Sequence, residues 1–487
     1  MTIARLGKFG MLALATACLT TSAGAASKAR IVRLSEVEGM VQMDRATGDG
    51  FDKAFNNLPV IEGCKLRTGK DGRAEVEFED GSTVRLGPQS ELDFTHLSLG
   101  DDGQKITDLQ FVSGVLYANL HPKNSGRKGD MAADQIQIDF GRESIVVPEP
   151  AHFRVVFDGK RRATLAAFKG RISARGPAGE YEVSEKRGAT ITFAKVESEA
   201  ATADAKSDTA NAVGTLNPAK SEETKTDSEN VSAAKDDAAK SDSFVLAKNY
   251  QENPADAWDR QQSDYHDRYA SSAGNAKIES PYGYGMSDLN YYGSFTTLAG
   301  YGSVWQPFFV NGGWDPFQDG AWAFYPGAGY MFVSGYPWGW MPYNYGSWLF
   351  LPGFGWGWQP GYWNSTYGVP TYANPPARTK ALTSPASGRQ TVMVGLGLTA
   401  YPAAGGSQRV TIKPGSAGFG VPRGLISHLD HASRTVERTS RPMTFAAAPP
   451  PSMQPSASMT GFGSPAGMSP MTSAPHRSAG TAPPSHH

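Results

Sequence analysis

Nine of the chain's ten tryptophans fall between Tyr282 and Trp363, and no lysine or arginine occurs between Lys277 and Arg378. Such a segment has to fold by burying rings against rings, because each ring carries roughly 150–250 Å² of surface and few charges are present to hold it in water. It also repeats, and a repeat constrains architecture more than any single motif. Gly313-Trp314-Asp315-Pro316-Phe317, Gly320-Ala321-Trp322-Ala323-Phe324 and Pro326-Gly327-Ala328-Gly329-Tyr330 return 26 residues later as Gly339-Trp340-Met341-Pro342-Tyr343, Gly346-Ser347-Trp348-Leu349-Phe350 and Pro352-Gly353-Phe354-Gly355-Trp356. Within the units the aromatics alternate: Trp322/Phe324, Tyr330/Phe332, Trp338/Trp340, Trp348/Phe350, Trp356/Trp358. A period of two places each pair on one face of a strand, and the intervening Gly and Pro supply turns. The expectation over 281–376 is a small antiparallel β repeat module whose hairpins, too brief to be stable singly, stack their rings into a shared core.

The repeat also sorts the rings. Trp314/Trp340, Trp322/Trp348 and Phe324/Phe350 recur at the offset and are expected to be framework. Trp305, Trp338 and Trp363 stand opposite Met331, Gly312 and Pro337 at the corresponding positions, so the fold does not require them twice. These three are candidates for an exposed binding face. Flat rings with few charges suit stacking on the sugars of peptidoglycan or another envelope glycan, or contact with an envelope protein.

Residues 1–26 read as a secretory signal: Arg5 and Lys8, then an apolar run from Phe9 to Leu19, then small residues at Ala23-Gly24-Ala25. The apolar run is shorter than the roughly 20 residues that span a bilayer, which favours cleavage over retention. Cys18, preceded by Ala15-Thr16-Ala17, is an alternative lipidation site. Cleavage after Ala25 leaves Cys64 as the only cysteine, and one thiol forms no internal disulfide, so folding relies on β pairing. Periplasmic or envelope-associated export follows as an expectation.

Residues 30–196 alternate as strands do, in Ala74-Glu75-Val76-Glu77-Phe78, Thr83-Val84-Arg85-Leu86 and Phe153-Arg154-Val155-Val156-Phe157, with Asp80-Gly81 as a hairpin turn. An all-β domain is expected, either a sandwich or a roll of stacked hairpins, so the chain as a whole is mainly β. Residues 197–243 are an Ala/Ser/Thr/Lys/Asp/Glu linker that lacks the apolar content for a core. Asn253-Pro254 reads as the start of a helix within 244–272, with Trp258, Tyr265 and Tyr269 on one face to dock on the aromatic module. Residues 377–445 form a Gly-rich extension with strands at 391–398 and 408–412, and 446–487 a Pro/Ser/Met/Ala tail that reads as disordered.

Two resemblances follow from these residues. Gly63-Cys64-Lys65-Leu66-Arg67-Thr68-Gly69, Gly72-Arg73-Ala74-Glu75-Val76 and Asp80-Gly81-Ser82-Thr83-Val84-Arg85-Leu86-Gly87-Pro88-Gln89-Ser90-Glu91-Leu92 resemble the periplasmic FecR domain, and Phe168-Lys169-Gly170-Arg171-Ile172 and Glu185-Lys186-Arg187-Gly188-Ala189 fit that family's closing strands. Cys64 departs from it, since the family usually carries a polar residue there. The resemblance implies a periplasmic β fold. The family's best-known setting adds a membrane helix and a cytoplasmic anti-sigma segment, and the sequence reads as lacking both. The segments Ala257-Trp258-Asp259-Arg260, Ser287-Asp288-Leu289, Tyr301-Gly302-Ser303-Val304-Trp305 and the two repeat units are similar to an uncharacterised Trp- and Tyr-rich domain that often follows FecR domains in secreted bacterial proteins.

Chemistry that would mark an enzyme is missing. No Gly-x-Ser-x-Gly, phosphate loop ending in Gly-Lys-Ser/Thr or His-Glu-x-x-His occurs. His428 and His431 have no third metal ligand nearby. Asp315 and Asp319 are the only acids between Leu289 and Pro376, and both fall in turns of one repeat unit rather than across a sugar bond. Formal net charge is −1, from 46 basic and 47 acidic residues, so no whole-chain field favours nucleic acid. The sequence therefore predicts an exported, non-enzymatic interaction protein with no catalytic residues, cofactor or metal. The alternative is a sensing or regulatory component of the FecR type without its own membrane helix.

Overall fold

The computed structural model describes residues 30–123, 133–177, 179–194, 241–270, 283–363, 368–395 and 409–446. The leader with Cys18, most of the expected linker, and the tail beyond Ala446 lie outside these residues.

The first region, among the described residues, is built from seventeen strands. They are β1 (Val32–Glu38), β2 (Val41–Asp44), β3 (Phe51–Lys53), β4 (Pro59–Val60), β5 (Lys65–Thr68) and β6 (Arg73–Glu77). Next come β7 (Thr83–Leu86), β8 (Glu91–Leu99), β9 (Lys105–Leu120), β10 (Gln135–Phe140), β11 (Glu143–Val146) and β12 (Ala151–Phe157). The set closes with β13 (Arg162–Lys169), β14 (Arg171–Gly176), β15 (Gly179–Ser184), β16 (Gly188–Thr192) and β17 (Ser243–Ala247). They form two faces joined by one long strand. One face runs β3-β2-β5-β8-β9-β10-β11-β14-β15. The other runs β4-β1-β6-β7-β9-β12-β13-β16-β17.

Strand β9 serves both faces, pairing with β8 up to Ser113 and with β12 from Gly114 onward. The change occurs at Gly114, whose φ is 104° and whose added Cβ would lie 2.3 Å from Ser90 Oγ, so no other residue fits there. Leu34, Val76, Leu92, Leu109, Phe111, Ile138, Phe153 and Val155 fill the core with almost no exposure. The alternation read from the sequence thus produces a two-faced, sandwich-like β fold.

Strand β17 corrects one boundary. Residues 244–247 belong by sequence to the helical segment, yet they add a strand to β16. The run Phe244-Val245-Leu246 lacks a helix cap and completes a sheet edge. The helix itself, α1 (Asp256–Tyr269), starts after a turn in which Asn253 Oδ1 accepts from the Ala255 N–H at 2.9 Å and Asp256 accepts from the Asn253 N–H at 2.8 Å.

The second region continues as α2 (Met286–Tyr292), β18 (Gly293–Leu298), β19 (Gly302–Pro307), β20 (Gly320–Tyr325), β21 (Gly329–Ser334), α3 (Trp340–Asn344), β22 (Tyr345–Leu351) and β23 (Gly355–Trp363). It ends with β24 (Tyr372–Ala373), β25 (Val392–Val394), β26 (Arg409–Ile412), α4 (Leu429–Thr439) and β27 (Met443–Ala446). The repeat is two hairpins. In β20–β21 Phe324 pairs with Tyr330, in β22–β23 Phe350 pairs with Trp356, and each ring pair lies 5.5 Å apart and near perpendicular. The turns match as well, with φ near +80° at Gly327 and Gly353. Trp338 and Trp340 are the exception to the strand reading: Trp340 opens the short helix α3, because Gly339 and Pro342 break the extended run.

The two hairpins part company on their second faces. Ala321, Ala323 and Tyr325 of β20 join Met331 and Val333 of β21 in the core of the first region, while Trp322 and Phe332 join the aromatic core. The small alanines allow close approach, and Tyr325 Oη donates to the Pro59 carbonyl at 2.7 Å. The β20–β21 hairpin is therefore the layer shared by the two cores, and the described residues form one compact unit.

Candidate functional site

The aromatic surface expected from the sequence is not where Trp305 and Trp338 lie. Both are fully buried, their ring centroids 4.8 Å apart. The Trp305 indole N–H donates to the Leu289 carbonyl at 3.0 Å and that of Trp338 to the Ala417 carbonyl at 2.7 Å. They are unique in the repeat because each fills a unique gap: Trp305 seals α2, and Trp338 stacks on Tyr336 beneath the glycine-rich loop. A binding face built on these two rings is thereby excluded. Trp363 closes β23, its backbone opposite Tyr345, and its side chain lies outside the described residues. Trp314, Trp322, Trp340 and Trp348 are buried framework as expected, whereas Phe324 and Phe350 are only half-buried. Asp315 and Asp319 stay in the turn before β20, and His428 and His431 face each other at 5.7 Å; among the described residues no cluster suited to a metal occurs.

What the fold assembles instead is a buried ionic layer on the outer side of the β1-β6-β7-β9-β12 face. Cross-strand register builds it: Arg33 lies opposite Glu77, Glu75 opposite Arg85, Arg85 opposite Tyr117, and Tyr117 opposite Arg154. Opposite charges at facing positions stabilise a sheet, and on an open face they would be solvated. Here three segments cover them.

Helix α1 is the first. Asp256 accepts from Tyr117 Oη at 2.8 Å and from Arg154 at 2.6 Å, and Asp259 binds Arg85 at 2.7 Å and His152 Nε2 at 2.8 Å. His266 reaches Glu75 at 3.0 Å through Nε2 and Ser287 Oγ at 3.1 Å through Nδ1. The expectation that this helix docks on the aromatic module is therefore half the answer. Its acidic face binds the sandwich, while Tyr265 and Tyr269 pack on Tyr291 of α2.

The second cover is α2, whose Asp288 accepts from Arg33, from Tyr265 Oη at 2.8 Å and from Arg423 at 2.9 Å. The third is the glycine-rich loop before α4. It delivers Arg423 into the layer, where the guanidinium donates to Glu75 at 2.7 Å and to the Ser35 carbonyl at 2.9 Å and pairs with Glu36 at 2.9 Å. Arg423 is 6% exposed and Glu75, Arg33 and Arg85 are 0%, so these pairs sit away from solvent, where removing one partner is costly.

The electrostatics follow from that dryness. Burial alone would push the Glu75 carboxyl up, but His266, Arg85 and Arg423 outweigh it and hold it well below the usual range. Asp259 and Asp288 behave alike, burial being overcome by His152 and Arg85 at one and by Arg423 and Arg33 at the other. Glu36 goes the opposite way. Burial, reinforced by neighbouring acids, overrides Arg423 and pushes it up to about 8. Proximity to an opposite charge and loss of water thus set opposite signs within one cluster.

Sequence reasoning missed this layer because Glu75, Glu77 and Arg85 look like the solvent-facing half of alternating strands. The available hint was the pair Asp256 and Asp259, three apart at the start of the helix and beside its aromatic Trp258.

Residues 65–173 match the FecR protein family. The chain carries a FecR domain. Residues 286–379 match a second family, the family of unknown function DUF6600. The FecR match begins at β5, so β1 to β4 precede it, and it holds Glu75, Glu77, Arg85, Tyr117, His152 and Arg154. The DUF6600 match holds Asp288, and Arg33, Glu36, α1 and Arg423 lie outside both. Two crystal structures of a candidate anti-sigma factor from Parabacteroides distasonis, at 2.50 Å and 1.65 Å, are similar at 12% identity over 26% of this chain, with a TM-score of 0.22. The chain spans 54% of that protein's length. No curated protein matches the chain. No described helix is long and apolar enough to cross a membrane.

Proposed function

We propose that this chain is a regulatory or sensing component of the bacterial envelope, of the FecR type, exported by its leader and acting through interaction rather than catalysis. One observation carries the reading: the charged face of the FecR domain is sealed by α1, α2 and Arg423 into one body with the DUF6600 domain. Two separate modules on a tether would report independently. A shared core and a shared ionic layer make any event at one domain felt at the other.

The test is genetic and biochemical. A strain lacking the gene is compared with one complemented by the wild-type chain, by transcript profiling and by fractionation of the tagged protein. A discrete, restorable change in a gene set, with the protein outside the cytoplasm, supports the reading. An unchanged transcriptome under envelope stress, or retention in the cytoplasm, overturns it. Sedimentation with isolated cell-wall sacculi bears on the glycan reading, for which Trp305 and Trp338 no longer supply a surface.

A further inference from the structure

The sandwich ends in four strand edges, since one face runs from β3 to β15 and the other from β4 to β17. An open edge invites pairing with another strand, and proteins guard it with charge, proline or shortness. Three of the four are guarded. Strand β3 is the three residues Phe51-Asp52-Lys53, β15 carries Glu180 and Glu182, and β4 is two residues long and begins with Pro59. Strand β17 is the exception. Ser243-Phe244-Val245-Leu246-Ala247 contains no charge, proline or glycine, and its register on β16 runs without a bulge.

The same strand is apolar where it meets water. Val245 is 63% exposed and Leu246 45%, although the strand is well seated, with Phe244 stacked on Tyr181 at a centroid distance of 3.6 Å. Its inner row of backbone groups pairs with β16, and among the described residues no strand pairs with the outer row. An uncharged strand left in that state is half of a ladder.

The sequence of β17 indicates the other half. Laid antiparallel against a second copy with Val245 on the two-fold axis, Ser243 faces Ala247, Phe244 faces Leu246 and Val245 faces itself. Small residues meet small ones and large meet large, and such cross-strand matching stabilises a sheet. The flanks agree in charge, because the same register sets Asp242 opposite Lys248 twice. Lys248 is exposed and makes no ion pair with a described residue, whereas Asp242 already accepts from Arg142 and from the Ala194 N–H at 2.8 Å. Each flank thus brings a second cation toward a carboxylate at the rim, which fixes register more than it adds strength. A shift of one residue in either direction loses the charge match.

We infer that β17 is a self-pairing edge that joins two copies of this chain into one continuous sheet. The pair is closed and isologous, since each copy contributes its own β17. A five-residue seam is small beside the roughly 1,200–2,000 Å² of a standard interface, so the dimer is weak, with a Kd of about 10–100 µM. The inference goes beyond the sensing reading and does not rest on it.

The test is sedimentation velocity on the purified mature chain from about 1 µM to 1 mM. A reversible monomer–dimer equilibrium with no larger species is expected. Val245→Lys sets two ammonium groups face to face on the axis and weakens the dimer about tenfold or more. Its melting temperature at the lowest concentration, where monomer dominates, stays at the wild-type value, because Val245 supports nothing inside the monomer. Lys248→Asp weakens the dimer about threefold, an effect that shrinks in high salt. Val245→Cys cross-links to its own copy through a short bis-maleimide, since Cys64 is buried and does not compete, whereas Ser294→Cys on the edge strand β18 does not. A monomer at every concentration, which leaves β17 to a strand of some other protein, overturns the assignment. So does a dimer that survives Val245→Lys, equal cross-linking of Ser294→Cys, or open-ended oligomers. None of these readouts involves transcription, so the dimer and the regulatory reading fail separately.

Discussion

Arg423 carries the heaviest consequence of any single side chain. It enters from the C-terminal extension and neutralises Glu75, Asp288 and, in part, Glu36. Arg423→Ala removes one of the cations that hold Glu75 and Asp288, and the only cation paired with Glu36 among the described residues, in a dry layer, and a loss of about 3–5 kcal/mol is expected by urea denaturation. Arg423→Lys should rescue little, because one ammonium cannot make the forked contacts to Glu75, Asp288 and the Ser35 carbonyl together. Glu36 contributes to the alkaline limit. Its folded-state carboxyl, at about 8, lies above its ordinary value of 4.5, so the folded chain keeps a proton that the unfolded chain releases. Stability therefore falls as pH rises through that window, and the loss is complete above it. Glu36→Gln should flatten this fall in a series of melting temperatures. On the acid side Glu75, Asp259 and Asp288 sit below the ordinary range. Their contribution is present above that range and is lost as pH drops through their folded values.

Among the elements, the two repeat hairpins offer a matched comparison. Gly327 and Gly353 occupy equivalent turns at φ of 80° and 81°, and an added Cβ at either meets nothing within 4 Å. Gly327→Ala and Gly353→Ala should therefore each cost about 1–2 kcal/mol from backbone conformation alone, equal within error in thermal melts. Gly114 differs in kind, since its Cβ would strike Ser90 where β9 passes from one face to the other. Gly114→Val should prevent folding of the sandwich, read as loss of soluble protein. The alternation of the hairpin aromatics was legible in sequence because the side-chain period of a strand is local. Which hairpin face would meet the FecR domain was not, although Ala321 and Ala323, where the second unit has Ser347 and Leu349, recorded the difference.

At the scale of the whole molecule, the FecR and DUF6600 domains share a core through β20–β21 and a charged layer through α1, α2 and Arg423. The wild-type chain should unfold in one calorimetric transition. Ala323→Phe, an overpacked wedge where the two cores meet, should cost about 1–3 kcal/mol and divide the transition in two; two separate transitions already in the wild-type chain would contradict the shared core. The sequence alone determined what local rules determine: strand alternation in both regions, the repeat and its turns, the position of the helix after Asn253, and the resemblance to FecR. It could not decide which charged strand faces would be dry, because burial depends on what lands on them from elsewhere in the chain. Nor could it place Trp305 and Trp338, since a ring that fills a gap between distant segments is indistinguishable, read along the chain, from one left bare. Those outcomes belonged to tertiary packing, in which Arg33 meets Asp288 and Arg423 meets Glu75 across hundreds of residues, and no periodicity encodes a contact of that range.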